Sequence, residues 1–342
     1  MVIVTGATGH IGNVLVRELI AKNIAVRALV LPNEKLDSIS KLPIEIVRGD
    51  VTDYPSLLKA FDGVTCVYHL AGIVTIDSGK RKILQKVNVE GTRNVVQACF
   101  EKRIKRLVYT SSIHAFTELP HGQTLVETKD FDENKVKGDY AKSKALATNI
   151  VLDAVKNGLD AVILHPTGVI GPYEYTLSNM GQLIVDFMKR KLFAYIDGTY
   201  DFVDVRDVAH GIILASEKGR SGENYILSGE QITVKRILEH LENATGLKAP
   251  RIKIPVWFAQ LTAPISELYY KILQQQPLYT SYSIQTLYSN SLSSHNKAKE
   301  ELGYKPRPIN EAIFDTVCWL KNNMKTTAHN SKKLTFEKGI DL

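Results

Sequence analysis

The eight residues Thr5-Gly6-Ala7-Thr8-Gly9-His10-Ile11-Gly12 constrain this chain more than any other stretch, because they join an apolar run to an amphipathic one. Met1–Thr5 reads as a buried strand, and Ile11–Ala21 has the 3.6-residue periodicity of a helix. In a strand–turn–helix setting the three glycines do separate work. Gly6 permits the tight turn, Gly9 lets backbone approach a pyrophosphate, and Gly12 allows the helix to pack closely on the strand. The helix N-terminus then offers N–H donors and a positive dipole end to an anion. Glycine spacing alone would say little; its setting makes it a dinucleotide fingerprint.

The alternation continues beyond the loop. Ile24–Val30, Ile44–Val47, Val64–His69 and Leu107–Thr110 read as strands, with helical periodicity over Lys82–Arg103. A sixth strand, Ala161–Leu164, follows the helical stretch Asp139–Lys156, which Gly158 stops. Strands this continuous in Val, Ile and Leu belong in a parallel sheet covered on both faces. The expected fold is therefore α/β, a Rossmann-type doubly wound parallel sheet. After His165-Pro166 the texture turns more polar, aromatic and proline-bearing, yet Asp204–Glu217 and Asn224–Leu227 read again as helix and strand of the main sheet. The expected division is a dinucleotide-binding domain over 1–165 and 204–228, with a smaller, discontinuous, mainly helical substrate-binding lobe over 166–203 and 229–320. The polar, lysine-bearing residues 321–342 read as a loose C-terminal tail.

Composition removes several function classes. Hydrophobic residues at 44% argue against disorder, and no run approaches the ~18 apolar residues of a membrane span. Cys66, Cys99 and Cys318 are scattered and form no CxxC, which excludes a disulfide framework or a zinc site and suits a reducing cytosol. The opening MVIVTG has no basic n-region, so the expected location is cytoplasmic. The net charge of +7 is dispersed, with Lys102, Arg103, Lys105 and Arg106 its densest run, and no nucleic-acid motif accompanies it.

Further motifs follow in order: Gly49-Asp50, His69-Leu70-Ala71-Gly72, Asn88-Val89-Glu90-Gly91-Thr92, Tyr109-Thr110-Ser111-Ser112, Tyr140-Ala141-Lys142-Ser143-Lys144 and His165-Pro166-Thr167-Gly168-Val169-Ile170-Gly171-Pro172. With the glycine loop they resemble the extended short-chain dehydrogenase/reductase superfamily, the NAD-dependent epimerase/dehydratase group, over residues 1 to about 320. Thr110-Ser111-Ser112-Ile113 and the Pro166–Pro172 segment are most similar to the branch of dihydroflavonol 4-reductases and 3β-hydroxysteroid dehydrogenases. The resemblance implies a nicotinamide cofactor held by the loop, with Thr8, His10 and Ile11 alongside the glycines. It also implies Asp50 and Val51 at the adenine, Leu70, Ala71 and Gly72 at the ribose, and Pro166 and the Tyr140–Lys144 pair near the ring. NADP and NAD are both open. The second strand ends Ala28-Leu29-Val30-Leu31-Pro32 without an acid to repel a 2′-phosphate, although related reductases often carry arginine where Leu31 stands. With Arg27 and Lys35 nearby, the reading leans to NADP.

Tyr140 and Lys144 lie four apart on one helical face. Taken alone the pair is weak; its place after the fifth strand and its serine carries the weight. A tyrosine ionises near pH 10, and a neighbouring ammonium favours the phenolate. Tyr140 would then exchange a proton with a carbonyl or alcohol oxygen while Lys144 holds the cofactor ribose. Ser112 would donate to the same oxygen, with Ser111 the runner-up. Asn88 reads as an organiser of backbone or water near the site, or else as a helix-packing residue. His114 could line the pocket, though a half-buried loop histidine is the commoner case, and His165 reads as a strand end. Neither has a second ligand at zinc spacing.

Ile113, Tyr173, Tyr175, Met180, Phe187, Tyr195 and Phe202 are the aromatic and aliphatic candidates for a mostly apolar pocket, with His114 beside them. Pro255–Leu273, with Trp257, Phe258, Leu261, Tyr269 and Tyr270, reads as a packed helix. Together these features point to an NAD(P)-dependent oxidoreductase moving hydride between cofactor and a ketone, aldehyde or secondary alcohol. A sugar-nucleotide epimerase with tightly held NAD and a non-catalytic dinucleotide sensor are the alternatives. The intact Tyr140–Lys144 pair disfavours the sensor. Ile113-His114 stands where dehydratases carry Asp-Glu, and Ala115-Phe116-Thr117 lacks the Tyr-Gly of epimerases. A homodimer through the helices 82–103 and 139–156 is a family-level expectation.

Overall fold

The structure, a computed structural model, describes residues 1–75, 80–262 and 287–337, with side chains as far as Asn323. Seven parallel strands form its central sheet: β1 (Val2–Thr5), β2 (Val26–Val30), β3 (Glu45–Arg48), β4 (Cys66–His69), β5 (Arg106–Thr110), β6 (Ala161–Pro166) and, much later, β10 (Asn224–Leu227). Their spatial order is β10-β6-β5-β4-β1-β2-β3, so the chain starts in the interior and winds outward both ways. Register is direct, with Val2 beside Val26 and Cys66 and Thr5 beside Leu29 and His69. The order reverses beside β1, and ligands of such sheets sit at the carboxyl ends of the strands there.

Helices cover both faces. α1 (His10–Ala21) and α7 (Val205–Lys218) lie on one side and share a core with Val4, Leu15, Ile212 and Tyr225. α2 (Tyr54–Ala60), α4 (Gly91–Glu101) and α5 (Asp139–Lys156) cover the other, over Ile3, Val67, Leu107 and Ile163. The periodicity over 82–103 predicts one continuous helix, and here the structure differs. α3 (Arg81–Leu84) passes through a π-helical turn, Gln85–Glu90, before α4 begins. Such turns insert one extra residue, a local defect that concentrates at functional sites. Asn88 sits in this one.

A third core gathers residues from two separated stretches. α6 (Asn179–Met188), α8 (Val234–Thr245) and α10 (Ile309–Glu337) pack Ile184, Ile237, Leu241 and Ile313 together. A three-stranded sheet, β11 (Glu230–Thr233)-β9 (Thr199–Asp204)-β7 (Gly168–Ile170), borders them. The pair β8 (Ala194–Tyr195) and β12 (Ile252–Lys253) and the short α9 (Asn296–Leu302) complete the described elements. Polar composition after Lys321 suggests a loose tail, but the backbone stays helical to Glu337. Buried Ile309, Ile313, Val317 and Leu320 anchor the preceding turns, and propagation costs far less than nucleation. All three cysteines are free thiols. Among the described residues, no helix is long and apolar enough to cross a membrane, and no three or more His, Cys, Asp or Glu side chains could share a metal ion.

Candidate active site

The glycine loop is closed by contacts that leave room for nothing larger at two of its three glycines. Gly6 has φ +72°, and a Cβ there would lie 2.7 Å from the Ala71 nitrogen. At Gly12 a Cβ would lie 2.0 Å from the Gly6 carbonyl oxygen. Gly9 is exposed, and a Cβ there meets only that same oxygen at 3.3 Å. It is also the N-cap of α1, and no side chain caps the helix. The unspent N–H donors and positive dipole end therefore face outward over a smooth backbone, as an anionic group requires. His10 and Ile11 open the helix, and His10 Nε2 is 3.0 Å from the Pro172 carbonyl.

At the end of β4 a run of hydrogen bonds has only one consistent direction. The Ala71 N–H donates to Thr5 Oγ1, and that hydroxyl pairs with His69 Nδ1 at 2.8 Å. His69 Nε2 is 3.0 Å from Thr92 Oγ1, whose own proton goes to the Asn88 carbonyl at 2.6 Å. Thr92 must therefore accept from Nε2–H, and in a neutral ring Nδ1 then accepts from Thr5. Burial, with the Lys144 charge adding to it, holds His69 down at about 3. The sequence placed His69 in a motif without a role; the structure makes it the tie between β1, β4 and α4.

The Asn88 side chain spends itself on positioning. Its Oδ1 accepts from the Ile73 N–H at 2.8 Å, and its Nδ2 donates to the Ile73 carbonyl and to Ser143 Oγ, each at 3.0 Å. Ser143 in turn donates to the Tyr140 carbonyl at 2.7 Å. Asn88 thus fixes the loop after Gly72 to the first turn of α5. Leu70 continues the ladder by donating to the Thr5 carbonyl, and Val51 packs into the groove left by Gly91. Asp50 spends Oδ1 on the Thr52 N–H at 2.8 Å, a local turn, while its Oδ2 has no partner among the described residues.

Lys144 is buried to 5% exposure and donates to the Thr110 carbonyl at 3.0 Å. Burial brings its pKa down to about 8. Its Nζ lies 3.6 Å from where a Gly72 Cβ would stand, and Asn88 Oδ1 3.2 Å from the same point. Gly72 therefore keeps open a hollow walled by an ammonium. The two serines after β5 separate clearly. Ser111 Oγ pairs with Thr148 at 2.7 Å, and since Thr148 donates to the Lys144 carbonyl, Ser111 is the donor between them. Ser112 Oγ accepts from the His114 N–H at 3.2 Å, and its own proton has no acceptor among the described residues. His165 supports Ser112 from behind, its Nδ1 3.1 Å from the Ser112 carbonyl and its ring stacked on Phe131. Burial holds His165 near 3, so it is neutral and inside the fold rather than a bare strand end. Pro166 closes β6 beside it.

Beyond Ser112 a cavity opens, walled by Ile113, His114, Phe116, Leu125, Val136 and Ala141 and reaching Tyr200 of β9. His114 is held near 4 by burial and is therefore neutral. Its Nε2 is 3.0 Å from the Tyr200 hydroxyl, and its ring meets the Tyr140 ring edge-on at 6.1 Å. Six of the expected pocket residues are elsewhere. Arg17 stacks over the Tyr173 ring at 4.6 Å and also reaches Tyr175, whose ring abuts Trp319. Both tyrosines thus seal α1 against α10 rather than line this cavity, because Tyr173 at φ +68° turns the chain back onto the loop. Phe187 and Phe202 are core residues, and Met180 and Tyr195 pack against the same core. Trp257, Phe258 and Leu261 are exposed rather than packed, while Tyr269 and Tyr270 lie outside the described residues.

The exit of β2 also differs from its sequence reading. Arg27 points to the opposite end of the strand, donating to the Ala60 and Asp62 carbonyls at 2.7 Å and pairing with Glu45. Glu34 folds back instead. It accepts from the Thr8 hydroxyl and, at 2.9 Å, from the Leu31 N–H. A carboxylate thus stands beside the phosphate loop although the strand itself ends without one. The signal was present three residues past Leu31, beyond a proline turn.

A doubly wound parallel sheet with a glycine loop at its switch point, and a serine, tyrosine and lysine at the ends of β5 and α5, defines an extended short-chain dehydrogenase/reductase. More narrowly, the chain belongs to the 3-beta hydroxysteroid dehydrogenase/isomerase family, whose model matches residues 3–232. It is 35% identical over 324 residues to the Methylococcus capsulatus protein named sterol demethylase protein B, covering 93% of this chain and 98% of that one. It is 34% identical over 324 residues to a Synechocystis protein provisionally named a dihydroflavonol 4-reductase, covering 94% of each. Among solved structures, gox2253 superposes with a TM-score of 0.83 at 32% identity, over 94% of this chain and 98% of that one.

Proposed function

We propose that this protein is an NAD-dependent dehydrogenase/reductase acting on a secondary alcohol or ketone of an apolar, steroid-like ring system. One observation carries the reading: Lys144, buried, walls the hollow that Gly72 keeps open, with Tyr140 one helical turn before it. A nicotinamide dinucleotide fits this cradle, with phosphates at Gly9 and the α1 N-terminus and ribose between Gly72 and Lys144. When bound, it supplies the hydride donor or acceptor. Ser112, whose proton has no acceptor among the described residues, donates to the substrate oxygen, and Tyr140 supplies or removes a proton at that oxygen. Lys144 carries the charge that favours the phenolate. Asn88 and His69 position these groups without touching the reacting atoms. The apolar wall from Ile113 to Ala141, together with family membership, supports a hydrophobic ring substrate over a sugar nucleotide.

Glu34 supports NAD over NADP, reversing the leaning of the bare strand end. A 2′-phosphate placed at the β2 exit would meet that carboxylate, whereas ribose hydroxyls could donate to it. The test is a carbonyl panel that includes steroid 3-ketones, assayed with NADH and NADPH in parallel on wild type and Tyr140→Phe. We expect NADH-dependent reduction that falls by about 10²–10⁴ in kcat for the phenylalanine variant. Turnover at the wild-type rate in that variant would refute the mechanism.

A further inference from the structure

Among the residues that line the cavity, one buried carboxylate stands outside the reaction group. Asp201 of β9 is only 4% exposed. Both of its hydrogen bonds fall on one oxygen: the Thr167 hydroxyl donates to Oδ1 at 2.6 Å, and the Gly229 N–H donates to the same atom at 3.0 Å. Oδ2 has no partner among the described residues, yet it is not one of the sealed, unpaired polar atoms of the interior. Asp201 is among the residues that line the cavity, beside Thr167, Tyr200 and Ser291. Burying a carboxylate oxygen without a donor is costly, and folds retain such groups where a ligand completes them.

We propose that Asp201 is a substrate anchor, whose Oδ2 accepts a hydrogen bond from a second hydroxyl of the substrate, distinct from the oxygen that reacts. The inference rests on the ring-alcohol reading above and adds to it a subsite and a polarity. Ser112 and Tyr140 each precede a lining residue, Ile113 and Ala141, while Asp201 and Thr167 line the cavity themselves. His114 links the two groups, its ring edge-on to Tyr140 and its Nε2 3.0 Å from the hydroxyl of Tyr200, the neighbour of Asp201 on β9. Burial pushes the Asp201 carboxyl up to about 6, against its two hydrogen bonds, so at neutral pH and above it is mainly an acceptor.

The polarity makes the proposal breakable. Three probes suffice: a saturated steroid 3-ketone, the same ketone with a D-ring hydroxyl, and the same ketone with a D-ring carbonyl. Each is measured against wild type, Asp201→Asn and Asp201→Ala, by calorimetric binding with NADH present and by turnover. Wild type should favour the hydroxylated probe over the plain ketone by about tenfold or more, the scale of a hydrogen bond to a charged group. Asp201→Asn keeps an oxygen for Thr167 and Gly229 but presents an N–H in place of Oδ2. It should lose the hydroxyl preference and move toward the D-ring carbonyl. Asp201→Ala should rank the probes by apolar area alone. Ratios within each protein cancel a general loss of folding or rate. Binding without turnover in wild type would refute the ring-alcohol reading, while the affinity ratios would still decide the subsite. Equal ratios in wild type and Asp201→Asn, or no binding of any probe, would overturn the proposal.

Discussion

The two sides of Ser112, Tyr140 and Lys144 are built on opposite plans. Toward the β1 switch point nearly every polar side chain is consumed by the protein itself. Thr5, His69, Thr92, Asn88 and Ser143 pass hydrogen bonds in one direction from the Ala71 N–H to the Tyr140 carbonyl. What is left for a ligand is mainly backbone, an uncapped helix end and the hollow at Gly72, with the carboxylates of Asp50 and Glu34 at the margin. Toward the cavity the walls are side chains, mostly apolar, and Asp201 keeps one oxygen unspent. A surface made of backbone is indifferent to most side-chain changes; a surface made of side chains can be retuned residue by residue. On the proposed mechanism, rigidity on the first side would also keep Ser112, Tyr140 and Lys144 within the narrow geometry that proton transfer needs.

The largest effect that would break this comparison lies in the loop. Gly12→Ala would place a methyl 2.0 Å from a carbonyl oxygen. We expect a loss above about 4 kcal/mol, enough to unfold the domain. Gly9→Ala, with its 3.3 Å contact, should fold normally and weaken dinucleotide binding by about tenfold. Thermal melts and a dinucleotide titration read both. Similar behaviour of the two variants would mean that the loop does not separate packing from ligand approach.

Next in size is Lys144. Its folded value of about 8 lies below the ~10.4 of an unfolded lysine, so between these pH values the unfolded chain holds the proton more often. Stability from this group therefore rises with pH across that window and is lowest, and flat, below pH 8. Lys144→Met should be inactive yet more stable by about 1–3 kcal/mol at pH 7, with the advantage shrinking toward pH 10. Urea unfolding at both pH values checks this. A difference independent of pH would show that the ammonium is not held at a cost.

The smallest effect sharpens the comparison at the far end of the cofactor cradle. Glu34→Gln keeps the size of the side chain and removes its charge. The ratio of kcat/KM with NADPH to that with NADH should rise by about tenfold. An unchanged ratio would move discrimination to Arg48 or Lys35.

Much of this arrangement was legible in residue order. Parallel strands announced themselves because burial on both faces demands near-continuous Val, Ile and Leu, and β10 was recognisable after an insertion for the same reason. Gly6, Gly9 and Gly12 were legible because glycine is needed where backbone meets backbone. The π-turn at Asn88 was not, since no residue type marks a widened turn as glycine marks a tight one. His69 stood in a recognised motif, but its partners Thr5 and Thr92 are 64 and 23 residues away.

Tyr173, Tyr175, Glu34 and Asp201 teach the same lesson from the other direction. Their residue types suited several roles, and chain direction at Tyr173 and at the proline turn before Glu34 chose among them. Local periodicity and backbone sterics act over a few residues, so the alternation of strand and helix and the glycine loop follow from the chain itself. Which aromatic seals α1, which carboxylate stands beside the glycine loop and which oxygen is left without a partner depend on contacts between residues far apart, and those exist only once the sheet and its insertions have closed around them.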